Sequence, residues 1–351
     1  MSSKNETPVL IASLLVTVTL LGGGYWWFTR DGGLNLPGLG GSNPSSTATA
    51  PSADAPASTG GQFNEVQNVP AGLFNYGGST TWAPVRGTID PTMQQAFPTY
   101  QLRYTNPIGT TASSGSGIDM LLKKQLSFSQ SSRALNPEEQ QAAQQQGFSL
   151  KEIPVALEGL AIAVNTNLPV DGITLTQLRD IYLGNLTNWN QVGGPDLPIV
   201  PISRSSDGGT VEFFIGTVLG GTPLPSSTTI ANTTTEALRL VDSTPGAIYY
   251  ASAPEVVGQC TVKPIGLGRQ SGQLVQPYAQ PYVPPENCPA QRNQINSAAL
   301  RSGEYPLTRR LFVIIREDGT QDQQAGEAYA NLLLTQQGQQ LLSEAGFVAI
   351  R

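Results

Sequence analysis

Three short segments of the chain carry residue types that can bind a small anion. They are residues 78–81 (GSTT), 113–117 (SSGSG) and 204–210 (RSSDGGT). Glycine lets a loop turn its backbone N–H groups toward a ligand, Ser and Thr add hydroxyl donors, and a following helix adds partial positive charge at its start. One such loop is a common turn. Three of them, one with an arginine, predict a site for a small oxyanion.

The composition excludes several other kinds of site. The chain of 351 residues has no histidine, only two cysteines and a net charge of -6. Ser-His and Cys-His nucleophile pairs are therefore absent, and one chain cannot form a four-thiolate metal site. Nucleic-acid binding needs clustered Lys and Arg, which this acidic chain lacks. With no paired carboxylates and no Gly-x-Ser-x-Gly elbow, we expect neither an enzyme nor a bound metal or cofactor.

The N-terminal region predicts a membrane anchor. After a tail of residues 1–7, residues 8–28 (PVLIASLLVTVTLLGGGYWWF) form an uncharged, mostly apolar run that ends in aromatic residues. A helix of this length spans a hydrocarbon core of about 30 Å, and aromatic side chains favour the membrane interface. A cleaved secretory signal is the alternative, but no small-x-small site directly follows the run. We predict an uncleaved signal anchor and a periplasmic body held at the cytoplasmic membrane.

Residues 29–71 are rich in Gly, Ser, Pro, Thr and Ala, which predicts a flexible linker. The folded part then begins near residue 72. Export also agrees with the two cysteines, since Cys260 and Cys288 could form a disulfide in an oxidising compartment. Two unpaired thiols are the alternative.

Strand-like and helix-like runs alternate through the folded part, which predicts an α/β protein with mostly parallel sheets. Thr174, with Gln177 three residues later, resembles a capping box at a helix start. The predicted strands are residues 100–104, 126–129, 159–164, 198–202, 247–250 and 311–315. The predicted helices are residues 91–97, 117–124, 175–182, 210–219, 234–243 and 326–344. Ligands bind such folds where strands lead through loops into helices.

The chain resembles a known family, the phosphate-binding proteins of bacterial phosphate ABC importers. The resemblance rests on segments in the family's order and approximate spacing, over nearly all of 72–351. They are residues 78–81 with Pro84, 113–117, 128–132 (FSQSS), 204–210, 305–308 (YPLT) with 311–315, and 337–346.

The resemblance implies a two-lobed, type II-like periplasmic-binding-protein fold with the anion in the cleft between the lobes. Residues 72–163 and 311–351 would form the first lobe, and residues 164–310 the second. The chain would act as a monomer that binds inorganic phosphate and passes it to the permease subunits of an importer.

The resemblance also implies a set of ligand residues. Hydroxyl groups or backbone N–H groups would come from both lobes, and one guanidinium from the second. The set is Thr80, Thr81, Ser114, Ser132, Arg204, Gly208, Gly209 and Thr210, with Ser79, Arg133 and Asp207 as further candidates. Several also have a plainer interpretation: Thr80 and Thr81 could cap a helix, residues 113–117 could form a turn, and Arg204 could form a surface salt bridge. Arg133 could face solvent or pair with Glu138.

Two positions depart from the family's pattern. The family often has an aspartate where this chain has Ser132, and that carboxylate accepts a proton of the phosphate and repels sulfate. A serine can accept the hydrogen bond but does not exclude sulfate by charge. At Gly208 the family usually has a serine, while Asp207 could orient Arg204, cap the following helix or accept the ligand's proton. Selectivity among phosphate, arsenate and sulfate therefore stays open.

Four hypotheses about function follow from the sequence. The first is a membrane-anchored phosphate-binding protein that serves an ABC importer. The second keeps the site but makes the chain a tethered phosphate sensor or store. The third is a hydrolase of phosphate esters or peptides, which the missing histidine disfavours, and the fourth is an adhesive or scaffolding protein.

Overall fold

The computed structural model describes residues 61–204 and 209–351. The predicted tail, the predicted anchor at 8–28 and most of the predicted linker lie outside these residues, as do Asp207 and Gly208. Within the two described ranges, no helix is long and apolar enough to span a membrane.

The first sheet is built on two parallel pairs. Strand β1 (Gly72–Gly78) pairs in parallel with β2 (Tyr100–Tyr104) on one side and with β3 (Phe128–Ser131) on the other. Strand β11 (Thr308–Glu317) runs antiparallel to β3. Five helices accompany this sheet: α1 (Ala83–Ala96), α2 (Ser114–Leu122), α3 (Pro137–Gln145), α9 (Gln321–Leu334) and α10 (Gln336–Glu344).

Strand β4 (Ser149–Asn165) connects the two halves of the fold. Its first part pairs with β11, with a register shift between Leu311 and Phe312, and its last part pairs with β8 and β9. The remaining strands are β5 (Gly172–Thr174), β6 (Val200–Arg204), β7 (Thr229–Ala231), β8 (Ala247–Ser252), β9 (Val262–Gly268), β10 (Leu274–Val275) and β12 (Val348–Ala349). The remaining helices are α4 (Leu175–Tyr182), α5 (Gly209–Thr217), α6 (Thr234–Ser243), α7 (Ala253–Val256) and α8 (Ser297–Ser302).

Separate hydrophobic cores lie on the two sides of the β4 and β11 connection. On the first side, Trp82, Phe128 and Tyr329 are fully buried. On the second, Tyr182 packs against Phe214, and Phe214 stacks on Tyr250 with ring centroids 3.6 Å apart. Such separate cores are the basis of a two-lobed body. The residue bounds predicted above for each lobe stay a prediction.

Strand direction differs from the sequence-based expectation of mostly parallel sheets. Seven of the described strands take part in antiparallel pairs, namely β3, β4, β8, β9, β10, β11 and β12. Among them, every antiparallel pair except that of β9 with β10 includes one of the connecting strands, because β4 leaves the first side and β11 returns to it in the opposite direction.

Two predicted boundaries also differ. Phe63 and Val66 are buried in the first core, although the predicted linker includes them. Because these apolar side chains pack against the first core, the folded body begins before residue 72. The helix predicted at 326–344 is two helices, because Thr335 interrupts it and caps the second by accepting a hydrogen bond from the N–H of Gly338 at 2.9 Å.

The predicted disulfide forms between Cys260 and Cys288, whose Cα atoms lie 5.7 Å apart. It closes a loop that contains β9 and β10.

Candidate functional site

The first predicted loop begins where β1 ends at Gly78. Gly78 has φ of 118°, and a Cβ there would lie 2.3 Å from the carbonyl oxygen of Gln130, so only glycine fits. Ser79 follows and caps a single 3-10 turn (Thr80–Trp82) by accepting the N–H of Thr81 at 3.3 Å. Helix α1 starts directly afterwards.

Three serine hydroxyls from three different loops meet in one buried cluster. Ser79 Oγ donates to Ser132 Oγ at 3.1 Å, and the hydroxyls of Ser114 and Ser132 are 3.2 Å apart. The N–H of Ser132 donates to Ser114 Oγ at 3.1 Å. Ser79 and Ser114 are 0% exposed and Ser132 is 1% exposed. We call Ser79, Ser114 and Ser132 the serine cluster.

A capped helix positions Ser114. Ser113 is the N-cap of α2 and forms a reciprocal capping box with Ser116, so Ser114 is the first residue of the helix. The helix predicted at residues 117–124 thus begins three residues earlier than expected, since Ser113 provides the cap and Ser116 completes the box.

Helix α5 of the second half begins beside the serine cluster. Gly209 is its first residue and is buried. A Cβ at this position would lie 3.2 Å from Ser132 Oγ, 3.4 Å from Ser79 Oγ and 3.6 Å from Ser114 Oγ. A helix start carries partial positive charge and N–H donors, so hydroxyls and helix start together form a polar, donor-rich surface.

Other predicted ligand residues line an adjoining cavity of about 220 Å³. Thr80 and Thr81 line it from the first half, and Arg204 and Thr210 from the second. Arg204 ends β6, and its Nε is buried without a hydrogen-bond partner among the described residues. A buried, charged donor without an acceptor is costly, which favours an anion as its missing partner. Ser252, Pro254 and Glu255 also line this cavity.

The groups around Arg204 have shifted pKa values. Burial raises the pKa of the Tyr249 phenol to about 12, so the ring next to the cavity stays neutral at physiological pH. Burial also raises the pKa of the Glu255 carboxyl above its usual value, the nearby charge of Arg204 opposing this shift.

Arg309 is a site residue that the sequence did not reveal. Its guanidinium is almost fully buried, and its Nε pairs with Glu158 at 2.7 Å. Its other nitrogens donate to the hydroxyls of Thr81 at 2.9 Å and Thr210 at 3.2 Å and to the carbonyl of Gly209 at 3.1 Å. Arg309 thus joins both halves of the site through residues that were predicted as ligands. The sequence marked its position only as the point where the chain crosses between lobes, and an arginine at a strand start carries no further local signal.

Arg133 lies apart from the cavity. It pairs with Glu139 at 2.8 Å and with Glu212 of α5 at 3.1 Å, and not with Glu138. Its charge is therefore already compensated. The pair with Glu212 links the two halves on a more exposed side of α5.

Comparison with known proteins places the chain in a family. A family model described as a PBP superfamily domain matches residues 47–337, and the chain belongs to this superfamily. The phosphate-binding protein PstS of Staphylococcus epidermidis is 24% identical over 241 residues, which cover 68% of each chain. The PstS protein of Staphylococcus aureus strain USA300 is also 24% identical over 68% of each chain.

Solved structures agree in fold. A candidate phosphate ABC transporter substrate-binding protein from Clostridium perfringens, solved with bound phosphate, is 25% identical with a TM-score of 0.61, covering 80% of this chain and all of that one. An ABC-type phosphate transport receptor from Vibrio cholerae has a TM-score of 0.62 at 24% identity, covering 78% of this chain and 99% of the receptor. The latter likeness concerns the fold alone.

Proposed function

We propose that this member of the PBP superfamily binds inorganic phosphate between its two lobes and delivers it to the permease subunits of a phosphate ABC importer. The observation that carries this proposal is the meeting of donors from both halves. Arg204 and Thr210 face Thr80 and Thr81 across one cavity. The named functions of the PstS relatives and of the Clostridium perfringens protein identify the anion.

The chemistry of the site fits a tetrahedral anion. Such an anion offers four oxygens and needs donors on several sides, and charge-assisted hydrogen bonds are the strong ones. We assign the guanidinium to Arg204 and the hydroxyl or N–H donors to the other predicted ligands, which are Thr80, Thr81, Ser114, Ser132, Gly208, Gly209 and Thr210. Ser79 joins this set as a member of the serine cluster, and Asp207 stays a further candidate. Arg133 is not assigned as a ligand, because its guanidinium already forms ion pairs with two carboxylates.

Binding would proceed by closure of the lobes around the anion, a hinge motion at the strands that connect them. Arg309 supports such a closed arrangement of the lobes. Its guanidinium donates hydrogen bonds to Thr81 on one side and to Thr210 on the other. Residues 8–28 would anchor a monomeric body on the extracytoplasmic side of the membrane, with the segment after them as a tether.

The binding step is tested by titrating the purified full-length chain, in detergent, with inorganic phosphate in a calorimeter. The native protein should bind phosphate, and Arg204→Ala should weaken binding by at least about tenfold, since a hydrogen bond to a charged group contributes about 1.5–3 kcal/mol. Arg310→Ala is the matched control, because Arg310 is exposed. Absence of binding, or equal binding by Arg204→Ala, would refute the assignment.

The transport step needs a separate experiment. Cells that lack the chain should take up radiolabelled phosphate more slowly at low external concentration, and the native gene should restore uptake where Arg204→Ala does not. Unchanged uptake together with an altered starvation response would instead identify a sensor or store.

A further inference from the structure

One carboxylate lies in a cavity that is otherwise suited to an anion. The described lining residues of the cavity between the lobes are Thr80, Thr81, Ala83, Pro84, Arg204, Thr210, Ser252, Pro254 and Glu255. Among these lining residues, Arg204 carries the positive charge and Glu255 carries the carboxyl group. Glu255 also lies with Arg204, Thr210 and Thr234 around a smaller adjoining pocket. A carboxylate repels a bound anion unless the anion carries a proton and donates a hydrogen bond to it.

Several neighbouring groups act on the pKa of the Glu255 carboxyl, in both directions. Although part of the residue is exposed, burial of the carboxyl raises its pKa, and the nearby Glu158 adds to the shift. A hydrogen bond with Thr234 and the charge of Arg204 act in the opposite direction and favour the ionised form. No ion pair within 4 Å joins Arg204 to Glu255 in the described part of the chain. Both groups can therefore act on one ligand.

The serine cluster cannot provide this discrimination by charge. Ser132 is buried, bonded to Ser79 and Ser114, and is not among the residues that line the cavity. A hydroxyl both donates and accepts, so it accommodates a protonated or an unprotonated oxygen alike. An ionised carboxylate only accepts and therefore requires a donor on the ligand.

We propose that Glu255 is the residue that makes the cleft select a tetrahedral anion that carries a proton. Its carboxylate accepts the hydrogen of HPO₄²⁻ or H₂PO₄⁻ while Arg204 binds the unprotonated oxygens. Sulfate has no proton at neutral pH, so its oxygen meets Glu255 as a like charge and is rejected. This inference rests on the proposed phosphate-binding function and adds the residue that determines specificity.

The test compares phosphate and sulfate affinities of the full-length chain at pH 7.5 by calorimetric titration. The native protein should prefer phosphate. Glu255→Gln removes the charge and adds an amide donor, so its preference for phosphate over sulfate should fall by at least about tenfold. Glu255→Asp retains a carboxylate and should keep more of the preference than Glu255→Gln. Glu286→Gln, at an exposed position of the same half, is the control and should leave the preference unchanged.

The outcomes separate this inference from the proposed function. If the native protein binds no phosphate, the proposed function fails and this inference with it. If it binds phosphate selectively and Glu255→Gln keeps the same preference, the function stands and Glu255 is not the discriminating group. A native protein that binds both anions equally also overturns the inference. Because each preference is a ratio within one variant, a general loss of stability does not imitate the expected result.

Discussion

At the scale of single residues, the site depends on small groups at close distances. The serine cluster occupies the first half of the site, and Gly209 stands against it from the second. A position that contacts three buried hydroxyls has little room for a methyl group, because protein interiors are closely packed. A side chain at the helix start would crowd this close approach of the two halves.

Gly209→Ala should weaken phosphate binding by about tenfold, which corresponds to about 1.4 kcal/mol. The added Cβ would lie 3.2 Å from Ser132 Oγ and 3.4 Å from Ser79 Oγ, so the Ser132 hydroxyl must shift by a few tenths of an ångström, which disturbs the serine cluster. Gly216→Ala is the matched control in the same helix, since a Cβ there meets nothing within 4 Å. It should leave binding unchanged and raise stability by about 0.5–1 kcal/mol. Equal affinities of both variants in a calorimetric titration would contradict the packing argument.

At the scale of elements, buried polar groups hold strands and helices around the site. Glu158 of β4 pairs with Arg309 of β11 and accepts a hydrogen bond from Ser252 at the end of β8. The pair lies on the two strands that connect the sides of the fold, where Arg309 is opposite Glu158. A buried ion pair is weak evidence for net stability, but loss of one partner leaves an uncompensated charge.

Arg309→Ala should therefore lower the free energy of unfolding by about 3–5 kcal/mol. Arg310→Ala, at the adjacent exposed position, should change it by less than about 0.5 kcal/mol. The double variant Arg309→Met with Glu158→Leu should be more stable than Arg309→Ala, because it leaves no buried charge. Urea unfolding of the four proteins provides the comparison. If the double variant is less stable than Arg309→Ala, the unpaired charge of Glu158 is not the cause of the lost stability.

A second polar network lies inside the first core and reaches the first loop. Asp90 of α1 accepts hydrogen bonds from the hydroxyls of Tyr76 and, at 2.7 Å, Tyr329. Tyr329 accepts a bond from Gln130, whose side-chain oxygen also binds Arg86. Asp90 is 3% exposed, and burial raises its pKa to about 6 from 3.8.

This shift makes part of the protein's stability dependent on pH. A raised carboxyl pKa means that the folded chain binds the proton more tightly than the unfolded chain. The contribution is complete below pH 4 and is lost as the pH rises to about 6, by about 3 kcal/mol in total. Relative to the native protein, Asp90→Asn should therefore gain about this amount between pH 4 and pH 7 in denaturant titrations. Asp119→Asn, at an exposed position, serves as the control. A difference between Asp90→Asn and the native protein that does not vary with pH would contradict the prediction.

At the scale of the entire fold, separate cores are joined by two strands. One disulfide closes a loop within the second half. Cys260 and Cys288 are 28 residues apart in sequence, and neither lines the cavity between the lobes. The bridge thus restrains the unfolded chain and the second half without contacting the site.

The variant Cys260→Ser with Cys288→Ser should lower the free energy of unfolding by about 3–4 kcal/mol, the entropy estimate for a loop of this length. Its phosphate affinity should stay within about twofold of the native value at temperatures where it is folded. Chemical unfolding and calorimetric titration of the same preparation test both statements. Unchanged stability would mean that the unfolded chain is already compact around this loop.

Local sequence patterns were sufficient to predict individual helices and the chemistry of individual loops. Helix α4 (Leu175–Tyr182) follows directly from the capping box of Thr174 and Gln177, and helix α6 (Thr234–Ser243) was likewise predicted with its observed bounds. Hydroxyl-rich loops before helix starts predicted an oxyanion site, because their chemistry lies within a few consecutive residues. Which of these groups meet depends instead on how distant segments pack together in the fold. Arg309 reaches Thr81 across 228 positions of sequence, and Glu255 shares a cavity with Thr80 from the other half. The division of the predicted ligands between the serine cluster and the cavity, and the pairing of Arg133 with Glu212, likewise depend on contacts between distant segments. No local pattern encodes them, since they arise only when β4 and β11 bring the two cores together.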